Sequence, residues 1–423
     1  MHMKKEDQSR PISPDQDALT RAQTEAELAG VHPAERLTPR RFLFYCVVVV
    51  LSVLYLVIGY RVSADRANLF RNEMGMEPSV AQVTEILHDR NDMGEIGGNV
   101  YYERVITFSA SIFSGSHRGE TVKAIQTIDN LTSNGMTPVS LGDKVFLYQT
   151  NPDGEIDWEA GDFYRSDSIL ILGAVFFVGL LLFGKGKGLK TILSLLFTCL
   201  AVFVVFVPAI LAGYNVYLVS IITCLYIIGT TLALVSGPSR KSLAAALGCA
   251  GGVMVAGVLA VIMDHILKLT GYLNDETMYV SLLNETHPID LRAIVFAAIV
   301  IGAMGATMDV AMDITSSLFE IHRKLPDISF GHLVHSGFTI GRDVMGTMAN
   351  TLILAYIGSS LTTVLLYASY QASLLQLLNR ELIIVELLQA LCGSIGILCT
   401  IPISALISSA LCCNRKKTPS CTK

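Results

Sequence analysis

The apolar residues of this chain are gathered in long unbroken blocks, and that arrangement constrains the fold more than any other feature. A soluble core is built from stripes at helical or strand period, whereas a run of about 18 or more apolar residues crosses a bilayer as a helix. Such blocks occupy residues 42–60, 168–183, 191–213, 216–236, 243–267, 293–308, 344–367 and 382–411. Charged residues make up 16% of the chain, against about 25% in an average soluble domain. The expectation is an all-α polytopic membrane bundle of about eight transmembrane helices.

Lysine and arginine of short loops collect on the cytoplasmic side of a membrane. With the amino terminus inside, that side receives Arg40 and Arg41, then Lys185, Lys187 and Lys190, then Arg240 and Lys241, then Arg323, Lys324 and Arg342, and finally Arg415, Lys416 and Lys417. The opposite connections hold Lys268, Arg292 and Arg380. An even number of spans satisfies the rule at every inner loop. It predicts a multi-pass protein of the cell membrane with both termini cytoplasmic and residues 61–167 extracytoplasmic. Residues 1–41, with Pro11, Pro14, Pro33 and Pro39, read as a disordered cytoplasmic tail, and 412–423 as a cytoplasmic tail. The 41 residues ahead of the first block are too long for a signal-peptide n-region, so that block reads as an uncleaved anchor.

Between the first two blocks the pattern turns strand-like. Ala81–Leu87, Val100–Phe113, Thr121–Ile128 and Val139–Tyr148 are rich in β-branched and aromatic residues and are separated by turn signals. Four or five short strands of this kind predict a small extracytoplasmic β-barrel-like domain of OB or SH3 type. It has no cysteine; the chain's nine lie in or beside the apolar blocks or in the tail and read as small packers.

Two blocks carry polar residues where lipid would be expected. Gly305, Asp309 and Asp313 fall at i, i+4 and i+8 on the sixth helix. Asp343 and Thr347 form an i+4 row on the seventh, with Gly346, Asn350 and Gly358 beside it. An intramembrane carboxylate costs about 2.5–3.5 kcal/mol on insertion scales, so it is paired, protonated or hydrated. One expectation is an ion or proton relay in which Asp309, Asp313, Thr347, Asn350 and Asp343 meet at one depth. The competing one is a clamp in which Arg342 or Arg323 pairs with Asp313 or Asp343. Gly302, Gly305, Gly346 and Gly358, with Gly248 and Gly252 on the fifth helix, are expected at helix contacts. Glu386 and Gln389 on the eighth helix read as snorkelling groups, and Asp264 and His265 as the exit of the fifth.

No catalytic residue, metal site or cofactor is indicated. His332 and His335 lack a third ligand, GKGKG at 184–188 lacks the P-loop spacing, and there is neither a CxxC nor an HExxH. The net charge of −5 and the lack of a basic stripe argue against nucleic acid.

The stretch from Gly302 to Glu320, GAMGATMDVAMDITSSLFE, followed by Gly341 to Ser360, GRDVMGTMANTLILAYIGSS, resembles the signature of the YibE/F-like family of bacterial membrane proteins. The resemblance extends from the strand-rich domain, with SGSHRGETV and LGDKVFLY, to about Leu365. It implies fold and membrane location and carries no settled biochemical activity. A fainter similarity, to permeases of the resistance-nodulation-division and SecD type, rests on Gly305–Asp309 ahead of an amphipathic segment. The expected function is transport of a small solute or ion, not an enzymatic reaction. The alternative is a non-catalytic assembly protein whose barrel binds a partner. The expected partners are the lipid bilayer and a second membrane subunit or further copy of the chain.

Overall fold

Hydropathy dictates helices that close their own backbone hydrogen bonds, and a computed structural model shows them; it describes residues 39–64, 78–96, 99–129, 136–150, 158–282, 289–369 and 373–413. The two tails, the first of them read as disordered, lie almost wholly outside the described residues. Seven helices are long and apolar enough to cross a membrane. They are α1 (Pro39–Ala64), α2 (Ser166–Leu211), α3 (Val216–Ser236), α4 (Arg240–Leu267), α6 (Leu291–Lys324), α7 (Phe330–Ser369) and α9 (Glu381–Cys413). Short helices α5 (Asp275–Leu282) and α8 (Leu374–Leu378) lie between them. Side chains of Asn215, Ser239 and Asp290 accept backbone amides at the starts of α3, α4 and α6, which fixes where each begins.

With 46 residues, α2 is far longer than the roughly 20 a span requires. It breaks at Lys185, whose φ of 46° and ψ of −126° are non-helical. The chain doubles back there: the Leu180 carbonyl fills the space a β-carbon on Gly188 would need, although residues eight apart in a continuous helix are separated by about 12 Å. The run GKGKG is therefore a reverse turn, with Gly188 at the position where a side chain would not fit. Near its far end α2 widens into a π-helical turn, Ala201–Phe206, just before Pro208, which has no N–H to continue the α-helical ladder.

The sixth apolar block is the first half of a longer helix and the seventh the last part of another. Hydropathy drops at Asp309 and resumes at Val344, yet α6 continues to Lys324 and α7 begins at Phe330. The interrupting charges sit on an exposed face and leave the backbone ladder intact. His332 and His335 lie in the first turns of α7, where the His332 ring bonds Ser329 Oγ at 2.7 Å.

At the centre of the bundle, α6 packs against α3, α4, α7 and α9, with Ile299, Val300, Ala311, Ile314 and Leu318 buried. The small-residue stripe on α4 is a seam to α9. A β-carbon on Gly248 would meet Ser404, and one on Gly252 would meet Thr400 and the Gly396 carbonyl. Antiparallel α1 joins the bundle through Tyr55, stacked on Tyr226 with centroids 4.0 Å apart and bonded to Thr223 at 3.2 Å.

Five strands, β1 (Ser79–Ile96), β2 (Asn99–Ile112), β3 (Thr121–Asp129), β4 (Lys144–Gln149) and β5 (Trp158–Phe163), close a barrel in the order β1-β2-β3-β5-β4. β3 and β5 pair in parallel and all other neighbours are antiparallel, a small Greek-key barrel. Ile106, Phe108, Val145 and Leu147 fill it from alternate strand positions. On its surface Arg104 grips Asp89 with two bonds of 2.9 and 2.7 Å. Those hydrogen bonds, helped by the guanidinium charge, hold the Asp89 carboxyl below the usual aspartate range. Lys144 reaches Asp167 at 2.6 Å and ties the barrel to the start of α2.

Candidate functional site

A helix in the wall of a membrane protein turns large apolar side chains toward lipid. Such residues are exposed on α3 (Leu218, Leu225), α4 (Met254, Val258) and α9 (Leu391, Leu398). On α6 there are none. Between Arg292 at its start and Arg323 at its end, its exposed residues are Ala298, Gly302, Gly305, Asp309 and Asp313. Their spacing of four, three, four and four places them on one face, opposite the buried Val300, Thr307, Ala311 and Leu318. Asp309 and Asp313 are close enough to interact electrostatically, and Asp309 also feels Cys249 of α4.

Beside this stripe runs α7. Its contacts are made by Gly337 on Leu318 and Ala405, Gly341 on Ile401, Leu352 on Gly393, and Tyr356 on Gly302. These set an antiparallel register to α6 in which Asp309 stands level with Thr347. The same contacts fix the rotation of α7. At 100° per residue, Asp343, Thr347 and Asn350 fall on the side turned away from α6 and α9, and all three are exposed. From Thr339 to Thr351 that side shows no large apolar residue.

The expected meeting of the two polar rows is thus half realised. Asp309 and Asp313 share one stripe and Thr347 matches them in depth. Among the described residues no hydrogen bond or ion pair joins Asp309 or Asp313 to Thr347, Asn350 or Asp343. The Thr347 hydroxyl bonds the Val344 carbonyl of its own helix at 2.9 Å. The expected arginine clamp is not formed either: Arg323 pairs with Glu320 at 2.7 Å, one turn away. Of the glycines expected at helix contacts, Gly248, Gly252 and Gly302 have another helix's atoms where a β-carbon would stand, whereas Gly305, Gly346 and Gly358 have open space there.

Two residues take on a place that the sequence did not assign them. Tyr356 sets its hydroxyl on Gly302, buried and without a hydrogen-bond partner among the described residues, within electrostatic reach of Glu386 on α9. Asp264, read as a mere exit from its helix, has a side chain only 15% exposed and a buried Oδ1 without a hydrogen-bond partner among the described residues. It lines a cavity of about 10 Å³ with Tyr217, Arg292 and Phe296, room for one water molecule. Their burial and missing partners come from packing, which the hydropathy pattern does not show.

Comparison with known proteins returns one family model, that of the YibE/F-like proteins, matched over residues 172–414. No curated protein and no solved structure matches the chain. The match includes both polar stripes and continues past Leu365 through α9, while the barrel lies outside it. Covering more than half of the sequence, it shows that this multi-helix membrane-type chain belongs to the YibE/F-like protein family.

Proposed function

We propose that the chain conducts a small ion or solute across the cell membrane along the outward stripe of α6, with Asp309 as the group that meets it. One observation carries this reading: α6 alone among the seven long helices shows no large apolar side chain on its exposed face, and shows two carboxylates instead. Lipid against Asp309 would be costly, and the charge of Asp313 one turn away adds to that cost. A polar, small-residue groove filled with water removes the penalty and leaves carboxylates where a cation or proton can bind. Two copies joined through this stripe would set acid against acid, so self-association does not provide the missing cover.

The topology proposed for this passage counts the two arms of α2, divided at Lys185, as separate spans. That gives eight spans, with both termini cytoplasmic and the barrel extracytoplasmic, in agreement with the lysine and arginine distribution.

Proton flux in proteoliposomes holding a trapped pH-sensitive dye, driven by a potassium diffusion potential, tests the reading. Asp309→Asn keeps size and removes charge, and should cut flux at least tenfold while the thermal melt is unchanged. Equal flux in both proteins would refute a role for Asp309.

A second reading, a partner-binding assembly protein, is favoured by the β1–β2 hairpin. It runs on past the last β3 pairing at Glu103 and displays Met93 directly opposite Tyr102, both exposed. That reading predicts normal behaviour of Asp309→Asn.

A further inference from the structure

Along the exposed stripe of α6, a β-carbon at Gly305 would meet open space, whereas one at Gly302 would meet the Tyr356 hydroxyl. That hydroxyl lies on the bare backbone of Gly302, in the space any side chain there would occupy. The oxygen is buried and has no hydrogen-bond partner among the described residues. A phenol is normally bonded when buried, so this position carries an uncompensated desolvation cost. One turn before it on α7, Leu352 lies where a β-carbon of Gly393 on α9 would stand, so the helix is held against α9 there. Asp309 lies about 10 Å along α6 from Gly302, toward the α6–α7 turn. On the other side, toward the barrel, stands the half-buried Glu386, within electrostatic reach of the same hydroxyl.

We propose that Tyr356 seated on Gly302 is the closure of the α6 groove, separating an Asp309 compartment open toward the α6–α7 turn from a barrel-side compartment whose cation-attracting group is Glu386. This rests on the groove being a watery path, and its test is chosen so that the two fail separately. Opening requires the ring to leave Gly302, which gives its hydroxyl access to water and joins the two carboxylate regions. Glycine at 302 is the seat: a methyl group there collides with the hydroxyl and holds the ring off.

A membrane-impermeant cationic thiosulfonate, applied to sealed vesicles of either orientation, tests this through Gly305→Cys in the full chain, with modification of that cysteine read by peptide mass. The expected result is labelling from the α6–α7 face only. Adding Tyr356→Ala, or Gly302→Ala with the tyrosine kept, should raise labelling from the barrel face at least tenfold; the second variant decides the matter if the first does not fold. For Ala298→Cys, Glu386→Gln should slow barrel-face labelling by the cationic reagent several-fold and leave a neutral reagent unaffected. Labelling of Gly305→Cys from both faces in the otherwise native chain would overturn the closure, as would unchanged sidedness in both variants, even if Asp309→Asn abolishes flux. An unchanged rate at Ala298→Cys in Glu386→Gln would remove Glu386 from the proposal. No labelling from either face in any background would overturn the closure and the watery path together.

Discussion

Thr400 of α9 places its hydroxyl where a β-carbon of Gly252 on α4 would stand, and bonds the Gly396 carbonyl at 2.8 Å from there. Backbone lies behind the hydroxyl, so a side chain at 252 has nowhere to go. Gly252→Val should cost about 1–3 kcal/mol or more by overpacking and lower the melting temperature in detergent. Gly305→Ala, at a position with open space, should not, since alanine gains up to about 1 kcal/mol of helix propensity over glycine.

At the barrel end of the bundle, Glu381 at the start of α9 accepts the amides of Thr270 and Gly271 at 2.6 and 2.7 Å and the Thr270 hydroxyl at 2.8 Å. Gly271 itself has φ of 81° and abuts Leu291, so this turn is held by geometry only glycine adopts easily. Hydrogen bonds to a charged group contribute about 1.5–3 kcal/mol. Glu381→Ala should speed hydrogen exchange at the Thr270 and Gly271 amides at least tenfold, and Glu381→Gln should do so by less.

In the barrel, Arg104 lowers the Asp89 pKa on folding through its two hydrogen bonds. A carboxyl whose folded value lies below its unfolded value of about 3.9 stabilises the fold above that pH and ceases to as pH falls through the folded value. Arg104→Ala should therefore weaken the barrel at pH 7 and flatten its stability loss between pH 5 and 2, as seen in denaturation of the full chain followed at Trp158. An unchanged acid profile would separate Asp89 from the effect. Both side chains are about two-fifths exposed, so high salt should shrink the difference.

The helices were legible because hydrophobic runs and lipid leave the backbone no alternative. Their faces were less so. Asp309 and Asp313 could be placed on one stripe from spacing alone, but the spacing of Asp343, Thr347 and Asn350 does not say which way that row points. Gly337, Gly341 and Leu352 decide it by seating α7 on α9, a packing choice without a periodic signature. The break at Lys185 was visible as glycines flanking lysines. In the barrel, β1 through β4 announced themselves by β-branched residues, whereas β5 (Trp158–Phe163, WEAGDF) carries too few to be placed beforehand and is recruited by the edges of β3 and β4.

The claim that the exposed stripe of α6 faces water at membrane depth is tested most directly by spin labels in lipid bilayers. A label at Gly305 should be relaxed by a water-soluble nickel chelate much more than by oxygen, while labels at Leu225 of α3 and Leu398 of α9 show the reverse. A Gly305 label relaxed by oxygen as strongly as those two, and untouched by the chelate, would contradict the account.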